Sequence, residues 1–240
     1  MSMQAREEIL GRLKSARKNT PAARPAKPVL SEINLDEEQL LQRFTSELNA
    51  QTGAVYQAKD KEDALRILSE IASAEGFKSI LATSADIYGV DIRAFGSQNN
   101  ISVSTVQDFS DRKAFRESAF AVDASITSAD FAVAETGTLG VIFCKEQPRL
   151  VSIAPPVHIA IVPVDKLYPV YENVIDQVFD NTDKIPSQFC FITGPSSTAD
   201  IKGVHFKGMH GPVKIFVIFI MTGGTGHENS NCPGKTMVRQ

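Results

Sequence analysis

Apolar positions recur along the chain first at helical and then at strand spacing. Arg6 to Ala16 places Ile9, Leu10 and Leu13 on one helical face. The prolines Pro21, Pro25 and Pro28 follow and cannot continue a helix, so residues 1–34 read as a helical arm on a linker. A second amphipathic helix begins near Asp36, with Leu40, Leu41, Phe44 and Leu48 on its inner face and Asn34 or Asp36 as its cap. Beyond it a strand is expected near Ala54 to Ala58, a helix from Asp60 to Ala74 carrying Ala64, Leu65, Leu68 and Ile71, and a strand from Ser79 to Ala82. Such alternation is the pattern of an α/β domain with parallel strands, because each crossover helix buries its apolar stripe on the sheet.

After a helix over Asp108 to Phe120, apolar runs follow one another with little room for helices: Phe131 to Ala134, Leu139 to Phe143, Leu150 to Ile153 and Ile159 to Pro163. Read as strands, they imply a mixed sheet whose antiparallel portion comes from this middle third. One more helix is expected over Tyr168 to Phe179, and two strands, Phe189 to Ile192 and Val213 to Ile220, complete a three-layer α/β/α domain spanning 35–220. Residues 221–240 are Gly-rich, polar and without periodicity, and read as a disordered tail.

With 240 residues and 42% hydrophobic content, one domain plus a small appendage can bury a proper core. The net charge of −3 provides no basic field for nucleic acid. The longest apolar stretch, Val213 to Met221, is interrupted by Lys214 and is too short to span a membrane. The first 18 residues lack the apolar core of a signal peptide, so a cytoplasmic protein is expected. Cys144, Cys190 and Cys232 are far apart with no C-x-x-C pair, so this chain is expected to bind neither zinc nor an iron–sulfur cluster of its own.

Candidate chemistry lies in two segments. Thr193-Gly194-Pro195-Ser196-Ser197-Thr198-Ala199-Asp200-Ile201, followed by Gly208-Met209-His210-Gly211-Pro212, sits between two apolar runs and brings hydroxyls, backbone N–H groups and an imidazole to sheet ends, where open α/β sheets bind ligands. Ala134-Glu135-Thr136-Gly137-Thr138 is the other. Glu135 follows an apolar strand, and Gly137 permits a ligand to approach the backbone or simply shapes a turn that Glu135 pins. Thr136, Thr138, Ser196, Ser197 and Thr198, with the backbone at Gly137 and Gly194, suit a small anion. Alternatively, Ser196 or Ser197 caps a short helix running through Ile201, with Asp200 in a capping or orienting role. His210, between glycines, is placed to titrate in a cleft, whereas His158 reads as a hydrogen-bonded structural residue. Arg149 is the cation whose planar fork best matches a substrate carboxylate. The histidines and carboxylates have no metal-ligand spacing, and neither G-x-G-x-x-G nor a P-loop motif follows a strand.

Taken in order, the A-E-T-G-T turn, Arg149, the Pro155-Pro156-Val157-His158-Ile159 run and the T-G-P-S-x-T-A-D-I and G-x-H-G-P blocks resemble the LUD domain family of the lactate-utilisation protein C type, over roughly Gln51 to Ile220. The resemblance implies a NagB/RpiA/CoA-transferase-like fold. It also implies a role in oxidation of L-lactate to pyruvate beside iron–sulfur partner proteins that carry the clusters, with this chain as an accessory or substrate-binding component. Within that fold class a glutamate in a Glu-x-Gly context serves as an acyl acceptor, so Glu135 as nucleophile or base on an acyl-CoA or small carboxylate is the alternative. Relatives carry a basic residue where this chain has Ser197, so direct charge pairing is not expected there.

Overall fold

The computed structural model describes residues 3–17, 34–179, 186, 188–199 and 205–222. Met1–Glu32 and Ile33–Gln240 are two separate compact units. In the first, α1 (Met3–Arg17) leaves Ile9, Leu10 and Leu13 exposed. The Pro-rich linker, Asp200 and the expected tail beyond Thr222 lie outside the described residues.

The second unit opens with α2 (Glu37–Ala50). Its cap is Asp36: the carboxylate accepts from the Gln39 N–H at 2.8 Å, and the Gln39 side-chain oxygen accepts from the Asp36 N–H at 3.1 Å. This reciprocal pair satisfies two N–H groups at the helix start. There follow β1 (Ala54–Ala58), α3 (Lys61–Glu75), β2 (Ser79–Ala82), a small hairpin of β3 (Asp86–Ile87) and β4 (Val90–Asp91), α4 (Ile92–Asn99), β5 (Ser102–Thr105), α5 (Arg112–Ala121) and β6 (Ala124–Ser128). The middle third contains β7 (Phe131–Val133), β8 (Thr138–Phe143), α6 (Leu150–Ile153), β9 (Val157–Pro163) and β10 (Leu167–Tyr168). The last elements are α7 (Tyr171–Phe179), β11 (Gln188–Ile192), β12 (Ser197–Ala199), β13 (His205–Lys207) and β14 (Lys214–Ile220).

Six strands form an all-parallel sheet in the order β1-β14-β9-β6-β2-β5. The antiparallel portion expected from the middle third is present, but it builds a second sheet, β10-β7-β8-β11, in place of extending the first. The physical reason is the turn Ala134–Gly137: four residues cannot carry a crossover, so β7 and β8 must pair antiparallel. β11 then adds antiparallel to β8, while β10 runs parallel to β7.

Alternation along the central strands assigns the layers. Ile159, Ile161, Ile218 and Ile220 pack with Leu68, Ile71 and Phe95 of α3 and α4 on one face. Ala160, Val162, Val217 and Phe219 pack on the other with Leu41, Phe44 and Leu48 of α2 and with Ala132 and Leu139 of the second sheet. Phe44 meets Phe219 edge-on at 5.0 Å. The outer face of the second sheet is closed by Val174 and Val178 of α7 against Phe131, Val133 and Ile142. All seven residues of β9 are buried, as a strand covered on both faces requires.

Two expectations are corrected here. Leu150 to Ile153 is a helix, not a strand: it packs as a single turn on Leu81, Ala119 and Val122, and a four-residue apolar run has no period that separates the two states. Ser197 to Ala199 is likewise no helix start but strand β12, paired antiparallel with β13 so that Ser197 stands opposite Lys207. No described helix is long and apolar enough to cross a membrane.

A hydroxyl-lined cavity at the amino ends of two parallel strands

The Ala134–Gly137 turn is tied down through its backbone, with the Ala134 N–H donating to Tyr168 O at 2.8 Å and the Glu135 N–H to Pro169 O at 3.1 Å. The Glu135 carboxylate is half-buried, and no partner for it is found among the described residues. These two N–H groups hold the turn to the segment before α7.

The threonines beside it turn toward each other. Thr136 Oγ1 donates to Tyr171 OH at 2.9 Å, Thr138 Oγ1 lies 2.8 Å from Thr136 Oγ1 and 2.9 Å from Tyr171 OH, and Thr138 Oγ1 also meets Thr193 Oγ1 at 2.8 Å. Thr138 is completely buried, so these bonds replace the water it has lost. Tyr171 is held in turn by the edge of Phe191, 4.6 Å between ring centres. Sequence reasoning did not select Tyr171, because it opens a helix in another part of the chain and no local pattern marks it.

Both motif glycines serve the packing of α2. At Gly137, with φ of 61°, a Cβ would lie 2.4 Å from the Leu48 N. At Gly194, with φ of 126°, it would lie 2.8 Å from the Gln51 Cβ. The close backbone approach anticipated for a ligand is made by the end of α2 itself.

The T-G-P-S and G-M-H-G-P blocks are joined by two backbone bonds, Ser196 N–H to Pro212 O at 2.8 Å and Gly208 N–H to Ser196 O at 2.9 Å. Between them and α6 lies a cavity of about 240 Å³ lined by Ser152, Ile153, His158, Phe191, Ile192, Thr193, Gly194, Ser196, His210, Gly211, Pro212 and Ile215. It lies at the amino-terminal ends of β9 and β14, opposite to the carboxyl-end crevice usual in open α/β sheets. His210 is exposed at its rim. His158 is buried, with Nε2 2.9 Å from Thr127 Oγ1. Burial pushes its pKa down to about 4, so the imidazole is neutral at physiological pH and acts as a polar structural group.

Among the described residues no Lys, Arg, Asp or Glu lines this cavity. Hydroxyls, backbone groups and imidazoles can hydrogen-bond a small carboxylate or hydroxy acid there without a fixed counter-charge. Arg149 is exposed and faces a separate cleft with Arg112 and Arg116. Ser197 and Thr198 lie on the paired strands β12 and β13 and are not among the described lining residues, and Thr138 connects to the cavity through Thr193. Among the described residues no three His, Cys, Asp or Glu side chains are grouped to hold a metal ion.

The LUD domain family model matches residues 41–220. An uncharacterised protein of Neisseria meningitidis serogroup B is 29% identical over 224 residues, which cover 91% of this chain and 94% of that protein. Lactate utilization protein C of Oceanobacillus iheyensis is 37% identical over 101 residues, and that of Bacillus subtilis 38% over 98. Those two matches span 41% and 40% of this chain and 43% and 41% of the relatives, less than half of each. A crystal structure of a DUF162 family protein from Deinococcus radiodurans has the same fold, with a TM-score of 0.57 at 17% identity over 78% of this chain and 99% of that one.

Proposed function

The chain belongs to the LUD domain family, and on that premise we propose that it acts in lactate utilisation as an accessory or substrate-binding component. The observation that carries this reading is the convergence of the Thr138–Thr193 and Ser196–Pro212 bonds on one small cavity lined by hydroxyls, backbone groups and imidazoles. The relatives named lactate utilization protein C supply the substrate class. Oxidation of L-lactate to pyruvate releases two electrons and two protons. With three cysteines scattered at 144, 190 and 232, this chain offers no cluster-binding motif, so the electrons pass to iron–sulfur partner proteins. The same reading has the chain in the cytoplasm, binding a small carboxylate through Thr193, Ser196 and His210.

The test is anaerobic electron transfer from L-lactate to an artificial acceptor by purified candidate iron–sulfur partners, with and without this chain. A rate that depends on the chain supports the reading. A rate indifferent to it, with no co-purification, sinks it.

One observation favours a second reading: the half-buried Glu135 carboxylate on a strand-end turn, without a partner among the described residues. A free-standing CoA-transferase-like enzyme would use it as nucleophile or base. Incubation with an acyl-CoA panel followed by borohydride or hydroxylamine trapping then labels Glu135, and a blank panel excludes this chemistry.

A further inference from the structure

A second, larger cleft of about 860 Å³ lies between α5 and α6. Four cations line it: Arg112, Lys113 and Arg116 from α5, and Arg149 from the residue before α6. Some cations elsewhere are neutralised locally: Arg66 holds Asp63 and Glu70, Arg93 holds Asp108, and Lys214 holds Glu75. In the cleft, no ion pair to Arg112, Arg116 or Arg149 is found among the described residues, and Lys113 reaches Glu117 only at 3.9 Å. Like charges gathered in a concave site on a chain of net charge −3 repel each other and focus the field for an anion.

Among the described lining residues the one carboxylate, Asp111, leaves the four cations in excess. Its Oδ2 accepts from the Ala114 N–H at 2.9 Å, and backbone N–H groups of Ala114, Lys113 and Arg112 hold its pKa below the usual value. Asp111 thereby occupies the amino end of α5, and an incoming anion must be met by the guanidinium forks instead. The same two helices also supply packed apolar lining: Phe115 meets Phe109 edge-on at 5.6 Å, and Leu150 packs into the same cluster. This cleft and the His210 cavity share only Ile153, so the two are neighbouring but separate.

We propose that the α5–α6 cleft binds a small molecule carrying two or more phosphate groups and a flat apolar moiety, of the nucleoside diphosphate class. Bidentate arginines match phosphate oxygens, and the Phe115–Leu150 wall receives the ring. The cleft has the volume of a small-ligand site.

Titration calorimetry on the full chain with pyrophosphate, ADP and AMP tests this. ADP is expected to bind more tightly than AMP, with an affinity that falls as salt rises. Arg116→Gln and Arg149→Gln are each expected to weaken ADP binding about tenfold or more, as loss of a charge-assisted hydrogen bond does, and Arg116→Lys to lose less than Arg116→Gln. Arg66→Gln, at a distant paired arginine, should leave binding unchanged. Both positions are exposed, so the variants are expected to fold, and circular dichroism is the check. The proposal is overturned if neither pyrophosphate nor ADP binds at millimolar concentration, or if the Arg116→Gln/Arg149→Gln double variant binds ADP as wild type does. Binding of a poly-glutamate peptide with the same arginine dependence, in place of nucleotides, overturns it too and makes the cleft a protein-docking surface.

Discussion

Thr138 and Thr193 are 55 residues apart in the chain, and their hydroxyl oxygens are 2.8 Å apart. This bond joins the A-E-T-G-T turn to the T-G-P-S block, so the two motifs form one structural unit. It exists because β11 pairs antiparallel with β8, bringing Ile192 opposite Leu139 and leaving the next residue, Thr193, beside Thr138.

Removing that junction should be costly. Thr138→Val preserves shape but leaves the Thr136 and Tyr171 hydroxyls without their shared buried partner. A loss of about 1–3 kcal/mol in urea denaturation is expected. A loss below about 0.5 kcal/mol would mean that the hydroxyl cluster is not structural.

Gly137→Ala combines left-handed backbone strain with a clash against the Leu48 backbone. Gly76, with φ of 72°, has nothing within 4 Å of the added Cβ and isolates the strain alone. Gly76→Ala should cost roughly 1–2 kcal/mol, and Gly137→Ala distinctly more, because α2 must also shift. Equal melting temperatures for the two variants would show that α2 does not press on the turn.

The pH dependence follows from His158. Its folded pKa of about 4 lies below the unfolded value of 6.5, so the unfolded chain binds the extra proton between these limits. Stability from this group is therefore complete above pH 6.5 and is lost as pH falls toward 4, by about 3 kcal/mol. Denaturation midpoints at pH 7 and pH 4.5 should converge in His158→Gln relative to wild type. A parallel fall in both proteins would argue against a neutral buried imidazole.

His210→Ala separates function from folding. The side chain is exposed, so stability should change by no more than about 0.5 kcal/mol. The chain-dependent part of L-lactate oxidation should fall about tenfold or more, with Glu135→Gln near wild type. The reverse ranking, with Glu135→Gln inactive and His210→Ala intact, would favour the acyl-transfer reading.

The sequence by itself determined the α/β class, the amphipathic helix near Asp36 though not which of Asn34 and Asp36 caps it, the strands Ala54–Ala58 and Ser79–Ala82, and the motif segments that carry the hydroxyls and His210. These were legible because amphipathic period, capping residues and turn glycines are local properties. The segment from Ile92 to Ser128 yielded only one helix to pattern reading, since α4, β5 and β6 are short and flanked by polar residues. Only the tertiary structure decided that the antiparallel strands form their own sheet and that Arg149 belongs with Arg112 and Arg116, not with His210. It alone showed that Tyr171 completes the hydroxyl cluster and that α2 fills the space beside both motif glycines. Each of these depends on which distant segments meet across a sheet, and spacing along the chain records which residues share a face but not what that face packs against.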